Sequence, residues 1–227
     1  MRALVLFSGG LDSTTSLAIA IDKYGKDNVV ALSISYGQKH IKEIEASNNI
    51  AKYYGVEHIY LDLSKIFDYS DCSLLSKNNY IDIPKGEYAK QLEENKVLST
   101  YVPFRNGLFL SSAAAIAISK NCDVIYYGAH ADDAAGEAYP DCSEEFTKAI
   151  NEAIYLGSGK KVSVVGPFVT MHKKDIVRKG LELKVPYELT WSCYEGHNKA
   201  CGKCGTCIDR IKAFKENGVE DPIEYEE

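Results

Sequence analysis

Long apolar runs are missing from this chain, and so is any excess of positive charge. The most apolar helical stretch, around Leu108 to Ile118, contains serines and falls short of the roughly 20 residues needed to cross a bilayer. No membrane association is therefore expected. Met1 leads directly into an apolar strand pattern, so a signal peptide is not expected and a cytoplasmic location is. With 26 Lys and Arg against 32 Asp and Glu, the formal net charge is −6. That balance argues against the broad basic footprint of a nucleic-acid binder. A disulfide framework is lacking too. The seven cysteines are odd in number and four of them cluster near one end, which suits reduced thiols around a metal. Also absent is the G-x-x-x-x-G-K-[ST] loop of the common nucleotide-binding proteins, because no lysine precedes the hydroxyl residues near the N-terminus.

What is present begins at residue 3. Ala3-Leu4-Val5-Leu6-Phe7 is a short apolar run bounded by turn residues, the pattern of a buried parallel strand. Ser8-Gly9-Gly10 then forces a tight turn whose backbone can lie against a ligand, since glycine carries no Cβ. Asp12, Ser13 or Thr14 is expected to cap the following helix, with Gly25 as its stop. A strand, a glycine turn and a helix N-terminus together present N–H groups and a positive dipole end to an anion, of which phosphate is the first candidate. Ser-Gly-Gly-x-Asp-Ser resembles the PP-loop of the N-type ATP pyrophosphatases, which hold ATP and activate a carbonyl or carboxylate by adenylation.

Further strands are predicted at Val29–Ser35, His58–Leu63, Val124–Gly128 and Val162–Gly166, and helices at about 39–54, 108–118, 144–156, 172–183 and 208–217. In an open parallel sheet, ligands sit outside the carboxyl ends of the strands. The loop at Tyr36-Gly37-Gln38-Lys39 should therefore lie beside the phosphate loop. Residues 64–100, rich in Ser, Asn, Asp, Lys and Tyr, form an insertion too long for an ordinary connection. Arg105 heads a buried helix and needs an anionic partner: a structural ion pair, ATP phosphate or a substrate carboxylate. Between His130 and Cys142 the chain offers four carboxylates, an imidazole and a phenol at the predicted ligand edge. Those carboxylates can hold Mg²⁺ against phosphates or accept from a purine-like ring edge. Ser143 should cap the helix that follows. Lys173, in the first turn of a helix, opposes the dipole and is either a phosphate contact or an ordinary surface lysine.

Near the C-terminus stands Cys193-x7-Cys201-x2-Cys204-x2-Cys207, with glycines in the knuckle. Tight x2 turns let thiolates converge on one ion, and four thiolates make a closed tetrahedral zinc site that folds the tail and performs no chemistry. An iron–sulfur cluster or a redox role is the alternative. His197 is an unneeded fifth candidate ligand.

Taken together these blocks resemble the 7-cyano-7-deazaguanine synthases, the QueC family of queuosine biosynthesis. The residues that carry the resemblance are Ser8 to Ser13, Val102-Pro103-Phe104-Arg105-Asn106, Tyr139-Pro140-Asp141-Cys142, Lys173-x-Asp175 and the four cysteines. The resemblance implies an α/β protein with a Rossmann-like open, mostly parallel sheet, helices on both faces, and a small four-cysteine zinc-binding segment. Residues 1–190 would form the ATP-binding domain, with 191–227 packed on it. It implies a ligase that uses ATP with Mg²⁺ and ammonia to convert the carboxylate of 7-carboxy-7-deazaguanine to a nitrile. ATP would be bound by Phe7, Ser8, Gly9, Gly10, Leu11, Asp12, Ser13, Thr14, Thr15, Ser33 and Tyr36. Asp12, Ser13, Arg105 and Lys173 would be catalytic. Arg105, Asp132, Asp133, Tyr139 and Asp141 would bind the substrate. A homodimer is the expected assembly. The rival readings are a PP-loop enzyme that thiolates or amidates tRNA or couples the deazaguanine to another amine, and a zinc-knuckle binding module without catalysis.

Overall fold

The computed structural model describes residues 1–39, 42–78, 80–83, 99–134, 139–195 and 198–226. Among them five strands form one sheet: β1 (Ala3–Leu6), β2 (Val29–Ser35), β3 (Glu57–Asp62), β4 (Val124–Tyr126) and β5 (Ser163–Val165). Their order is β3-β2-β1-β4-β5, and every neighbouring pair is parallel, so the expectation of a mostly parallel sheet is met in full. β1 is central and buried on both sides, which is why it is a continuous apolar run without alternation.

Side-chain alternation along β1 divides the core. Ala3, Val5 and Phe7 pack with Leu17 and Ala20 of α1 (Leu11–Tyr24) and Ile50 and Ala51 of α2 (Lys42–Tyr54). Leu4 and Leu6 face the other way, against Leu110, Ala113 and Ala117 of α3 (Arg105–Ser119). A short α4 (Ala131–Ala134) follows β4, and α5 (Glu144–Gly157) carries the chain to β5. Ser143 caps α5 as expected, its hydroxyl accepting from the Phe146 amide at 3.1 Å. A third cluster joins Leu11 and Ala18 of α1 to Ile176 and Val177 of α6 (Lys173–Glu182) and to Ala213 and Phe214 of α7 (Gly205–Glu216). No helix among the described residues is long and apolar enough to cross a membrane.

The helix boundaries bring two corrections. α1 starts at Leu11 with Gly10 as its N-cap and no side-chain cap, so Asp12, Ser13 and Thr14 lie inside the first turn. The Ser13 and Thr14 hydroxyls instead donate back to the Gly10 carbonyl at 3.2 and 2.7 Å. α3 begins at Arg105, about one turn before the predicted 108. Phe104 takes a left-handed conformation (φ 53°) just before it, and the Asp141 carboxylate accepts the Asn106 amide at 2.8 Å. The insertion is not structureless where it is described: Phe67, Cys72, Leu74, Leu75 and Ile83 build a small core with Tyr36 and Val102. Residues 84–98 of it, like His197 and part of the acidic loop, lie outside the described residues.

Between β1 and β4 the chain's direction of travel across the sheet reverses. Their carboxyl ends open onto a cavity of about 240 Å³.

Candidate active site

One wall of that cavity is the turn from β1 to α1. Gly9 has φ 83°, and a Cβ there would lie 2.5 Å from the Ser47 amide nitrogen, so the turn is seated directly on α2. Its other side is held by residues far along the chain. The Trp191 amide donates to the Gly9 carbonyl at 3.0 Å, and the Leu11 amide reaches Ser192 Oγ at 3.5 Å. Within the turn, the Ser8 amide donates to Ser13 Oγ and the Gly10 amide to Ser8 Oγ, both at 3.2 Å. With no side chain capping it, the N-terminal end of α1 faces the cavity with its dipole free to meet an anion. Gly128, at the end of β4, approaches the same helix start so closely that a Cβ would sit 3.2 Å from the Ser13 nitrogen.

A charged cluster stands beside this turn. Lys173 Nζ donates to Asp12 Oδ2 at 2.6 Å and lies 3.0 Å from His130 Nε2, which is itself 3.3 Å from Asp133 Oδ2. Burial pushes the Asp12 carboxyl up, but Lys173 and His130 outweigh it and hold the group below its ordinary range. Burial likewise works against the Lys173 charge, and Asp12 and Asp133 outweigh it, so the ammonium is retained. Asp209 of α7 adds a further carboxyl to this neighbourhood. Burial raises it, with Lys173 and His130 acting partly against that rise.

Across the cavity sits Arg105, its guanidinium carbon 5.3 Å from the Tyr36 ring centre. Burial opposes its charge, but Tyr36, Tyr194, Cys142 and Asp141 hold it protonated. Glu43, in the first turn of α2, also lines the cavity. Burial pushes its carboxyl up to about 7, with Arg105 pulling in the opposite direction.

The expected residues of the ATP and substrate sites thus separate into three groups. Phe7, Ser8, Gly10, Asp12, Ser13, Ser33, Tyr36, Arg105, Asp133 and Lys173 all line one cavity. Gly9, Leu11, Thr14 and Thr15 shape the turn from behind: Leu11 is buried in the α1–α6–α7 core, and the Thr15 hydroxyl bonds the Leu11 carbonyl and the Tyr187 phenol. The acidic loop is more committed than its composition suggests. Asp132 binds His172 Nδ1 at 2.6 Å and the Lys173 amide at 2.8 Å, at the start of α6. Asp141, only 5% exposed, serves the start of α3. The Tyr139 phenol pairs with the Thr100 hydroxyl at 2.7 Å. None of these three lines the cavity. Glu43, Trp191 and Ser192 carried no motif that marked them as neighbours of this turn; His130 was expected at the ligand edge but without a role of its own.

The four cysteines converge. Their sulfurs lie within 4.8 Å of one another and all four residues are buried. Thiolates about 2.3 Å from one tetrahedral ion stand about 3.8 Å apart, and a set this compact can close on a single ion such as zinc. A multi-iron cluster, which places each thiolate on a different iron, would hold them farther apart. The Cys201 and Cys204 amides donate to the Cys193 and Cys201 sulfurs at 3.2 and 3.3 Å, which favours thiolates. Behind the cluster, Arg210, 1% exposed, grips Asp221 through Nε at 2.7 Å and a second nitrogen at 2.9 Å, and reaches Thr190 at 2.7 Å. The Thr206 hydroxyl donates to the Ser192 carbonyl at 2.8 Å, so the knuckle and the phosphate turn share a wall.

A parallel sheet, a glycine turn leading into a helix start at its carboxyl edge and a compact thiol cluster define an α/β protein of the PP-loop type with a C-terminal four-cysteine knuckle. The comparison with solved structures agrees at the level of fold: NMN synthetase from Francisella tularensis superposes with a TM-score of 0.52 at 14% identity, covering 96% of this chain and 78% of that one. The sequence profile of the family described as "Queuosine biosynthesis protein QueC" matches residues 2–218. The chain is 45% identical over 224 residues to the 7-cyano-7-deazaguanine synthase of Archaeoglobus fulgidus, covering 98% of this chain and 90% of that protein. It is 42% identical to that of Pseudoalteromonas atlantica, covering 99% of both. The chain belongs to the QueC family.

Proposed function

We propose that this protein is a 7-cyano-7-deazaguanine synthase, an ATP-dependent carbon–nitrogen ligase acting in queuosine biosynthesis. The observation that supports the reading is that the glycine turn after β1, Lys173 and Arg105 line one cavity. ATP, taken up with Mg²⁺, lays its phosphates along Ser8 to Ser13, with Lys173 drawn to them and Ser33 and Tyr36 bordering the nucleoside. Arg105 meets the carboxylate of 7-carboxy-7-deazaguanine. That carboxylate resists ammonia because its oxygen is a poor leaving group. Attack of the carboxylate oxygen on the α-phosphorus makes an acyl adenylate and releases pyrophosphate. Ammonia then displaces AMP and leaves an amide. A second adenylation, at the amide oxygen, allows that oxygen to depart with AMP as the nitrogen loses its protons, giving the nitrile. No protein nucleophile is required. Alignment of carboxylate and phosphorus, with N–H and cationic charge aimed at the phosphates, supplies the acceleration.

Zinc held by Cys193, Cys201, Cys204 and Cys207 has no open coordination position and stabilises the fold of the tail. The net charge of −6 supports work on free small molecules without direct nucleic-acid contact. A cytoplasmic homodimer completes the proposal. Incubating the protein with ATP, Mg²⁺, ammonia and 7-carboxy-7-deazaguanine, with mass spectrometry of the product, tests it. The nitrile is expected. Failure to consume the acid, or transfer to a different amine only, overturns the reading.

A further inference from the structure

The proposed substrate carries two adjacent donors on its pyrimidine edge, a ring N–H and an exocyclic amine, which a carboxylate can accept together. Among the described residues three carboxylates line the cavity: Asp12, Asp133 and Glu43. Asp12 is paired with Lys173 at 2.6 Å, and Asp133 faces His130 at 3.3 Å. Glu43 has neither an ion pair nor a hydrogen bond among the described residues, and Arg105 is the cation whose charge it feels. Its surroundings are also the aromatic part of the cavity: Tyr36 and Phe109 stand with ring centres 6.0 Å apart, and Tyr36 lies under Arg105. A flat wall, a cation and an unpaired carboxylate suit a planar heterocycle that bears an anion and paired N–H donors.

We infer that Glu43 is the specificity-determining acceptor for the pyrimidine edge of the deazaguanine, a role resting on the synthase reading above. The residue stands half-buried at the cavity wall, and two N–H groups would supply paired bonds in place of water. An analogue without the exocyclic amine leaves one carboxylate oxygen without its donor inside the cavity, and a site built this way rejects such an analogue strongly. The acidic loop after β4 is then not the base-reading element.

The test compares kcat/KM for 7-carboxy-7-deazaguanine and for its analogue lacking the 2-amino group, in the unaltered protein and in Glu43→Gln. Binding of a non-hydrolysable ATP analogue is measured by calorimetry alongside. The unaltered protein should prefer the amine-bearing acid by at least about 10²-fold. Glu43→Gln should raise KM for that acid and shrink the preference below about tenfold, with nucleotide affinity unchanged within a factor of about two. Should Glu43→Gln not fold, Glu43→Asp, which keeps the charge but withdraws it by one methylene, is expected to show the same loss of preference in part. A variant that keeps the full preference, or that loses nucleotide affinity in its place, overturns the inference. If the unaltered protein makes nitrile from neither acid, the synthase reading itself has failed.

Discussion

The loops leaving β1 and β4 stand side by side at the same edge of the sheet and are built in opposite ways. The β1 loop has few functional side chains, but it is fixed on every side: α2 beneath Gly9, Trp191 and Ser192 above, Gly128 alongside. Its small hydroxyls and several of its N–H groups bond one another and Ser192, which holds the turn in shape. The β4 loop is dense with carboxylates, yet Asp132 and Asp141 are engaged at the starts of α6 and α3. The difference teaches that the count of reactive groups in a loop says little about how many are available to a ligand. A carboxylate near a helix start is engaged by its N–H groups.

That contrast can be broken at four points. The largest effect should come from Gly9→Ala. A Cβ 2.5 Å from a backbone nitrogen, at φ 83°, combines left-handed strain with overpacking. A loss of about 2–5 kcal/mol in urea unfolding and no measurable turnover are expected. Normal activity in this variant would mean the turn is not the rigid element. Lys173→Ala comes next. Turnover should fall about 10²–10³-fold while circular dichroism is unchanged, because one preorganised cation is removed from the developing phosphate charge. A tenfold or smaller effect would make the Asp12–Lys173 pair a structural feature alone.

Asp141→Ala should be milder and of a different kind: about 1–2 kcal/mol of stability, from the unsatisfied Asn106 amide, with substrate KM altered less than threefold. A large rise in KM without loss of stability would return the recognition role to the β4 loop. The smallest effect separates the paired carboxylates from the unpaired one by pH. Asp12 is held below its ordinary 3.8, so its contribution is present above that value and lost as pH falls through its folded value. Glu43, raised from 4.5 to about 7, behaves in reverse. The folded state binds its proton more tightly, so stability falls as pH rises from about 4.5 to about 7. Urea midpoints of Glu43→Gln minus the unaltered protein should therefore be flat below pH 4.5, increase up to about 7, and level off.

Much of this was legible in the residues. An apolar run with glycines behind it fixes β1 and its turn, because both are local consequences of sterics and burial. The knuckle was legible for the same reason, since two-residue spacings force sulfurs together. What could not be read was distant pairing. Asp12 meets Lys173 across 161 positions, Asp132 meets the Lys173 amide across 41, and Asp141 meets Asn106 across 35. Composition places these carboxylates at the right edge but cannot say that helix starts claim them. Glu43 was silent because a lone glutamate in the first turn of a helix is ordinary, and only the fold reveals that it faces a cavity. The α1 cap was misplaced because hydroxyls just after a glycine turn can bond either forward or back.

The clasp of residues 191 and 192 on the phosphate turn also has a temporal side. Ser192, which meets the Leu11 amide, leaves the ribosome 181 positions after it. At ordinary elongation rates that is a delay on the order of ten to forty seconds. For the later part of that interval the turn has α2 to rest on but lacks the bonds from Trp191 and Ser192. The turn after β1 is thus completed only when residues far downstream of it have been made.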